Sequence, residues 1–298
     1  MIPLETLLDG IIIPIDKPRQ WTSFQAVNKV KAAIRNTYDI KKGQPGHRMK
    51  IGHAGTLDPL ATGLLLVCVG KATKRISELQ EGEKVYSGTI VLGATTPCYD
   101  LERPIDGRYP YEHITPALIE EARRQFLGDI EQVPPLFSAV KIDGQRAYTL
   151  ARTVARDNME AEAPSPTPKT VHIYDFQITA FRPQAMHGDD LPAAPLLSFP
   201  KASAESTCSL CHAEETSTKS PLTSHLYKSP LGEVPPELPQ IDFRIRCGKG
   251  TYIRSIARDF GMALDSGAFL SALRREQIGD YTLADAIPLT DIETFLTR

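Results

Sequence analysis

The sequence predicts an α+β fold, with a mixed sheet flanked by helices, and three kinds of observation predict it. Runs such as Lys84–Leu92, Ser138–Ile142 and Val171–Phe181 alternate apolar and polar residues with the period of a half-buried strand. The segment from Phe24 to Arg35 places Ala26, Val27, Val30 and Ile34 at helical spacing. The strand-like runs are separated by helical segments in some places and by hairpin-like turns in others, unlike a strict alternation of strand and helix.

Taken in order, Gly10 to Ile15 reads as a short strand, and Thr22-Ser23 can cap the helix from Phe24. Residues 36–50 are polar, basic and contain Gly and Pro, so they read as a loop. Leu64 to Val69 is a continuous apolar run after Gly63, consistent with a buried strand, and Lys84–Leu92 stops at Gly93. After a turn-rich stretch at 94–113, Thr115-Pro116 opens a helix to Phe126, with Pro well placed at the first helical position. The strand Ser138–Ile142 ends in the turn pair Asp143-Gly144. Tyr148 to Val154 reads as helical, Asp242 to Cys247 as a strand, and Ile253 to Leu264 as a helix.

Residues 183–240 break the pattern. They carry repeated Pro, Ser and Thr without lasting periodicity, and residues 164–239 hold 12 of the 24 prolines. They read as a flexible insertion between strands that resume cleanly on both sides, so the expected catalytic body is discontinuous, 1–182 and 241–298.

Composition excludes several classes. With 298 residues, 23% charged and 41% hydrophobic, the chain is neither collagenous, disordered throughout nor a small disulfide scaffold. No apolar run approaches the ~20 residues of a membrane span, and no secretory leader is visible. Five scattered cysteines fit a reduced, cytoplasmic setting. The formal net charge of -2 conceals segregation: residues 17–75 hold twelve Lys and Arg against two acids, Asp39 and Asp58. Residues 241–276 add seven basic residues against four acidic ones. Such blocks fit either a polyanion-binding surface or a solvated basic face, and charge alone leaves both open.

Two motif matches fail on context. Cys208, Cys211 and His212 have the C-x-x-C-H form of a haem attachment site, yet they lie in the polar insertion. A zinc site would need a second ligand pair, and only scattered His187 and His225 are near. Gly70-Lys71 has the wrong spacing for a phosphate-binding loop, and Ala72 stands where a hydroxyl is required. No metal and no cofactor is expected.

The chemically informative segment is Gly52-His53-Ala54-Gly55-Thr56-Leu57-Asp58-Pro59-Leu60-Ala61-Thr62-Gly63. Its glycines permit turns and close backbone approach. Asp58 is the only acid between Asp39 and Glu78, within the most basic part of the chain. An ionised carboxylate there suits a nucleophile or an electrostatic stabiliser. The plainer alternative is a turn aspartate bonding its own backbone before Pro59.

This run, continuing to Lys74, resembles the signature of the TruB family of tRNA pseudouridine synthases. Four ordered elements support the resemblance: Ile15-Asp16-Lys17-Pro18 with Trp21-Thr22-Ser23; Lys84-Val85-Tyr86 with Leu92 to Thr96 and Asp100; Gln132 to Pro135 with Ser138 to Lys141 and Arg146 to Tyr148; and Gly250 to Ser255 with Leu273-Arg274-Arg275. The resemblance implies a pseudouridine-synthase-like, largely antiparallel sheet. It implies that Asp58 is the catalytic aspartate, that Arg254 pairs with it, and that Tyr86 stacks on the target uracil. Tyr252 would pack beneath that base, Leu273 would wall the pocket, His53 would place flipped nucleotides, and Lys17 would join the substrate-binding set. The implied reaction is isomerisation of uridine at position 55 in the T-loop of tRNA. The enzyme would act as a monomer with the tRNA T-arm stem-loop as partner, without membrane or obligate protein partner. Many members carry a C-terminal PUA domain; only about 23 residues follow Arg275, so none is expected here. The alternatives are an RNA-binding or folding-assistant protein without catalysis, and an Asp-nucleophile glycosidase, which would need a second carboxylate as acid.

Overall fold

The computed structural model describes residues 1–138, 141–142, 145–146, 166–183 and 231–298. The expected helix at Tyr148–Val154, the turn Asp143-Gly144, the Cys208–His212 run and most of the 183–240 stretch lie outside the described residues.

The strands are β1 (Ile11–Lys17), β2 (Ile51–Ala54), β3 (Thr62–Val69), β4 (Lys84–Leu92), β5 (Ala94–Thr95), β6 (Gly107–Arg108), β7 (Gly128–Gln132), β8 (Lys141–Ile142), β9 (Gln145–Arg146), β10 (Lys169–Arg182), β11 (Gln240–Cys247), β12 (Ala268–Ile278), β13 (Tyr281–Thr282) and β14 (Ile287–Pro288). The helices are α1 (Leu4–Asp9), α2 (Ser23–Thr37), α3 (Ile76–Glu81), α4 (Pro116–Arg124), α5 (Ile253–Ala263) and α6 (Ile292–Thr297). Ten strands form one sheet in the order β14-β1-β3-β12-β4-β11-β10-β7, with β2 on β3 and β13 on β12. Among the described residues, only the β1–β14 and β3–β12 strand pairs are parallel. The α+β architecture is therefore largely antiparallel, as expected. No helix among the described residues is long and apolar enough to cross a membrane.

Local chemistry sets the elements that matter for the site. Helix α2 starts at Thr22, whose hydroxyl accepts from the Gln25 N–H at 3.1 Å while the Gln25 side chain accepts from the Thr22 N–H at 2.7 Å. This reciprocal box satisfies two donors that the first helical turn would otherwise leave open. Strand β4 is buried along its whole length, because β12 and β11 flank it. Strand β3 is divided: Thr62 and Gly63 pair with β12, whereas Leu66 to Val69 pair with β2. The connection 55–61, which carries Asp58, leaves the sheet at this fork. Gly63 is obligatory there, since its φ is +98° and a Cβ would meet the Arg275 carbonyl oxygen at 2.3 Å.

The core lies between the sheet and helices α2, α4 and α5. Phe126, Phe176, Phe243 and Phe260 form edge-to-face and tilted contacts with centroids 5.5–6.3 Å apart. The Pro/Ser-rich boundary needs correction at its C-terminal end. Residues 231–240 belong to the folded body: the Gly232 N–H donates to Leu101 at 2.9 Å, Leu238 is fully buried, and Gln240 already pairs with β4. These anchored apolar and backbone groups outweigh the proline content there. Phe260→Ala should lower unfolding stability by roughly 3–5 kcal/mol, read as a shift of the urea midpoint at constant slope.

Candidate active site

A cavity of about 330 Å³ opens at the sheet fork, lined by Asp58, Tyr86, Tyr252, Arg254, Leu273 and Arg275 among others. Its volume falls at the lower end for small-ligand pockets.

Asp58 and Arg254 face each other in a bidentate pair. Arg254 Nε donates to one carboxylate oxygen at 2.9 Å and Nη2 to the other at 2.8 Å. The same guanidinium donates to the Cys98 carbonyl at 3.1 Å and the Phe137 carbonyl at 2.9 Å. Arg254 is 5% exposed and Asp58 33% exposed at the side chain, so the cation is locked while the carboxylate still meets the cavity. Buried Asp100 lies 3.8 Å from Arg254 Nε. Burial works against the Arg254 charge, but Asp58 and Asp100 outweigh it and raise its pKa. Burial likewise pushes the Asp100 carboxyl up, partly opposed by Arg254.

The Asp58 connection is held by donors from three elements. Ser23 Oγ accepts from the Leu57 N–H at 2.8 Å and donates to its carbonyl at 3.2 Å. Lys17 Nζ donates to the carbonyls of Trp21, Pro18 and Pro59 at 2.6, 2.9 and 3.3 Å. Arg275 donates to the carbonyls of Leu64, Gly55 and Thr56 at 2.8, 3.0 and 3.4 Å. Lys17 and Arg275 are buried at 0% and 1% exposure. Full burial pushes the Lys17 ammonium down to about 7; Asp58 and Asp16 oppose this, and Arg275 reinforces it.

Tyr86 comes from β4, opposite Arg275 in the register, and is buried; burial raises its phenol pKa. Tyr252 precedes the first turn of α5. Its N–H donates to Gln132 Oε1 at 2.8 Å and its carbonyl accepts from Gln132 Nε2 at 3.1 Å. Leu273 supplies an apolar wall from β12. Asp58, Tyr86, Tyr252, Arg254 and Leu273 therefore share one cavity.

Two expected substrate-binding residues stand elsewhere. Lys17 is absent from the cavity wall, and its ammonium is occupied by three carbonyls. His53, on β2, is also absent from the cavity wall. Burial and the nearby Arg275 charge lower its pKa, and its Nδ1 has no hydrogen-bond partner among the described residues. Sequence reasoning assigned no role to Arg275, Gln132 or Lys84. Lys84 lines the cavity and donates to the Gln80 carbonyl. Among the described residues, no three His, Cys, Asp or Glu side chains gather as a metal site.

Comparison with known proteins shows the family to which the chain is similar. Residues 41–189 match the model of the TruB family pseudouridylate synthases, N-terminal domain. The tRNA pseudouridine synthase B of Flavobacterium johnsoniae is 44% identical over 98% of both chains. That of Phocaeicola vulgatus is 40% identical over 97% of this chain and 94% of the relative. A crystal structure of a Cbf5–Nop10–Gar1 complex shares the fold. Its TM-score is 0.54 at 22% identity, and the match covers 98% of this chain and 56% of that one.

The depressed Lys17 pKa fixes a pH dependence. The ammonium titrates near 7 when folded and near 10.4 when unfolded. Between these values the unfolded chain binds the extra proton, so the Lys17 contribution rises with pH, by at most about 1.4 kcal/mol per unit. In Lys17→Met this rise should vanish. Urea denaturation of both proteins at pH 7.5 and 9 checks it: the wild-type advantage should widen at the higher pH.

Proposed function

The chain belongs to the TruB family of pseudouridylate synthases, and on that premise we propose that it isomerises uridine to pseudouridine at position 55 in the T-loop of tRNA, with Asp58 as the catalytic residue. The observation that carries the reading is the bidentate Arg254–Asp58 pair at the edge of the cavity. It keeps one carboxylate aimed and still accessible. The names of the relatives, tRNA pseudouridine synthase B, support tRNA as the substrate.

The reaction breaks the N1–C1′ bond, turns the base and joins C5 to C1′; C5 loses a proton and N1 gains one. It is redox-neutral and requires no energy input. The target base must leave its stack first, which calls for an enclosed site with an aromatic face. Tyr86 and Tyr252 are the aromatic residues at the cavity, and Leu273 adds an apolar wall. Asp58 serves either as nucleophile at C1′ or as the base that assists glycal formation by taking a sugar proton. Arg254 stays cationic through either route, so its role is to hold the carboxylate in place. A detached uracil must be kept from water and from escape until it rejoins the sugar.

Residues 1–182 and 231–298 would form one catalytic domain, acting as a cytoplasmic monomer on the T-arm without cofactor or protein partner. The two alternatives have less support. A binding protein without chemistry leaves the cost of holding the Asp58–Arg254 pair unexplained. A glycosidase needs a protonated second carboxylate beside the bond. Asp100 is the nearby acid with a raised pKa, but it is 5% exposed and stands behind Arg254.

Asp58→Asn should abolish pseudouridine formation in a T-arm stem-loop transcript, a loss of at least about four decades, or roughly 5 kcal/mol of barrier. RNA affinity should stay within about threefold, since the substitution leaves shape and cavity intact. Mapping the modified base after incubation with each protein checks both site and residue; full activity in the variant sinks the assignment.

A further inference from the structure

Several surface arginines on the sheet have carboxylate partners: Arg182 with Asp242, Arg244 with Glu276, Arg246 with Glu83, and Arg274 with Asp16, at 2.5–3.0 Å. On α2 and the loop after it, Lys29 and Lys41 also have carboxylate partners. Lys31, Arg35, Lys42, Arg48 and Lys50 have none within 4.0 Å among the described residues. Five unpaired cations gathered on one helix and the loop that follows it are what a polyanionic ligand would complete.

Their placement is ordered. On α2, positions 24, 28, 31 and 35 fall in one stripe at helical spacing, spanning about 16 Å at 1.5 Å per residue. The stripe begins with Phe24, which is 68% exposed, then Asn28, Lys31 and Arg35. Arg35 Nη2 donates to the His47 carbonyl at 3.4 Å, tying the stripe to the 41–50 loop. That loop is fixed at its far end, where its Lys50 carbonyl accepts from the Gly70 N–H at 2.9 Å. Lys42, Arg48 and Lys50 are exposed on it. The other end of the stripe adjoins the catalytic segment, because Ser23, next to Phe24, bonds both backbone groups of Leu57. A large exposed aromatic beside a nucleotide pocket suits base stacking.

We propose that Phe24, Lys31 and Arg35 on α2, continued by Lys42, Arg48 and Lys50, form a docking track for the phosphodiester backbone of the substrate RNA, with Phe24 stacking on an unpaired base beside the cavity. This rests on reading the site as one that acts on RNA. Through Ser23 and Leu57 the track and Asp58 form one rigid unit, so backbone docked on α2 presents the target base at a set distance from the carboxylate.

The test is RNA affinity as a function of salt, using a T-arm stem-loop transcript. Lys31→Ala/Arg35→Ala should reduce the slope of log affinity against log salt by about two, since each phosphate that a cation neutralises contributes roughly 0.9 to it. The paired control Arg244→Ala/Arg246→Ala should keep the wild-type slope. Phe24→Ala should weaken binding about tenfold, within the range for removing one stacked base, and Phe24→Tyr should restore it. A wild-type slope in the α2 variant, the same reduction of slope in the control, or wild-type affinity in Phe24→Ala overturns the track. Product yield from the wild-type protein is measured on the same transcript, so a failure of the catalytic reading shows separately, as RNA bound without pseudouridine.

Discussion

Arg254 must stay charged in a place where charge is costly, and much of the site follows from that constraint. A guanidinium at 5% exposure is tolerable only when its donors are matched. Arg254 meets this with both oxygens of Asp58 and the carbonyls of Cys98 and Phe137. One side chain in the first turn of α5 thereby joins the Asp58 connection, the turn-rich stretch after β5 and the segment after β7. Each partner is distant in sequence, so none of these loops can drift without stranding a buried cation. Catalytic geometry and fold stability are thus coupled through a single planar group.

Lys17 and Arg275 solve a related problem differently. Neither forms a tight ion pair. Each is buried and donates instead to backbone carbonyls that end or flank the Asp58 connection. That arrangement holds the loop by its main chain. Asp58 is left as the accessible acid, with its position determined from both sides. The dual contact between Ser23 and Leu57 adds the α2 side of the same frame.

The readable parts of the fold are those whose signature is local in the sequence. Strand β4, the α2 cap and the Asp58 segment show up through alternation, capping residues and clustered glycines. Strand β12 does not, because Arg274 and Arg275 interrupt its apolar face; Arg275 turns inward to clamp residues more than two hundred positions away. Strand β2 is four residues long and contains a glycine, too short for periodicity. Strand β7 is mostly polar and pairs only with β10, so its strand character comes from its neighbour. Resemblance to a family brought Asp58, Arg254, Tyr86, Tyr252 and Leu273 together, and geometry places them on one cavity. It also drew in Lys17, whose type suggests substrate binding, although three carbonyls occupy its ammonium.

Charge illustrates the difference between an average and an arrangement. A total of -2 gives no hint of a polyanionic partner, whereas pairing does. On the sheet, each surface arginine named above has its carboxylate, which lowers the exposed field of a broad flat surface. On α2, Lys31 and Arg35 have no carboxylate partner among the described residues, and they share a stripe with Phe24 beside the Ser23–Leu57 contacts that anchor the Asp58 segment. Evolutionary accident could spread unpaired cations anywhere; it has no reason to align them with the catalytic connection. A surface that must hold a polyanion in one register has that reason, because each unpaired cation gains its partner only when the ligand lies along the stripe. Local pairing therefore carries the information that net charge averages away.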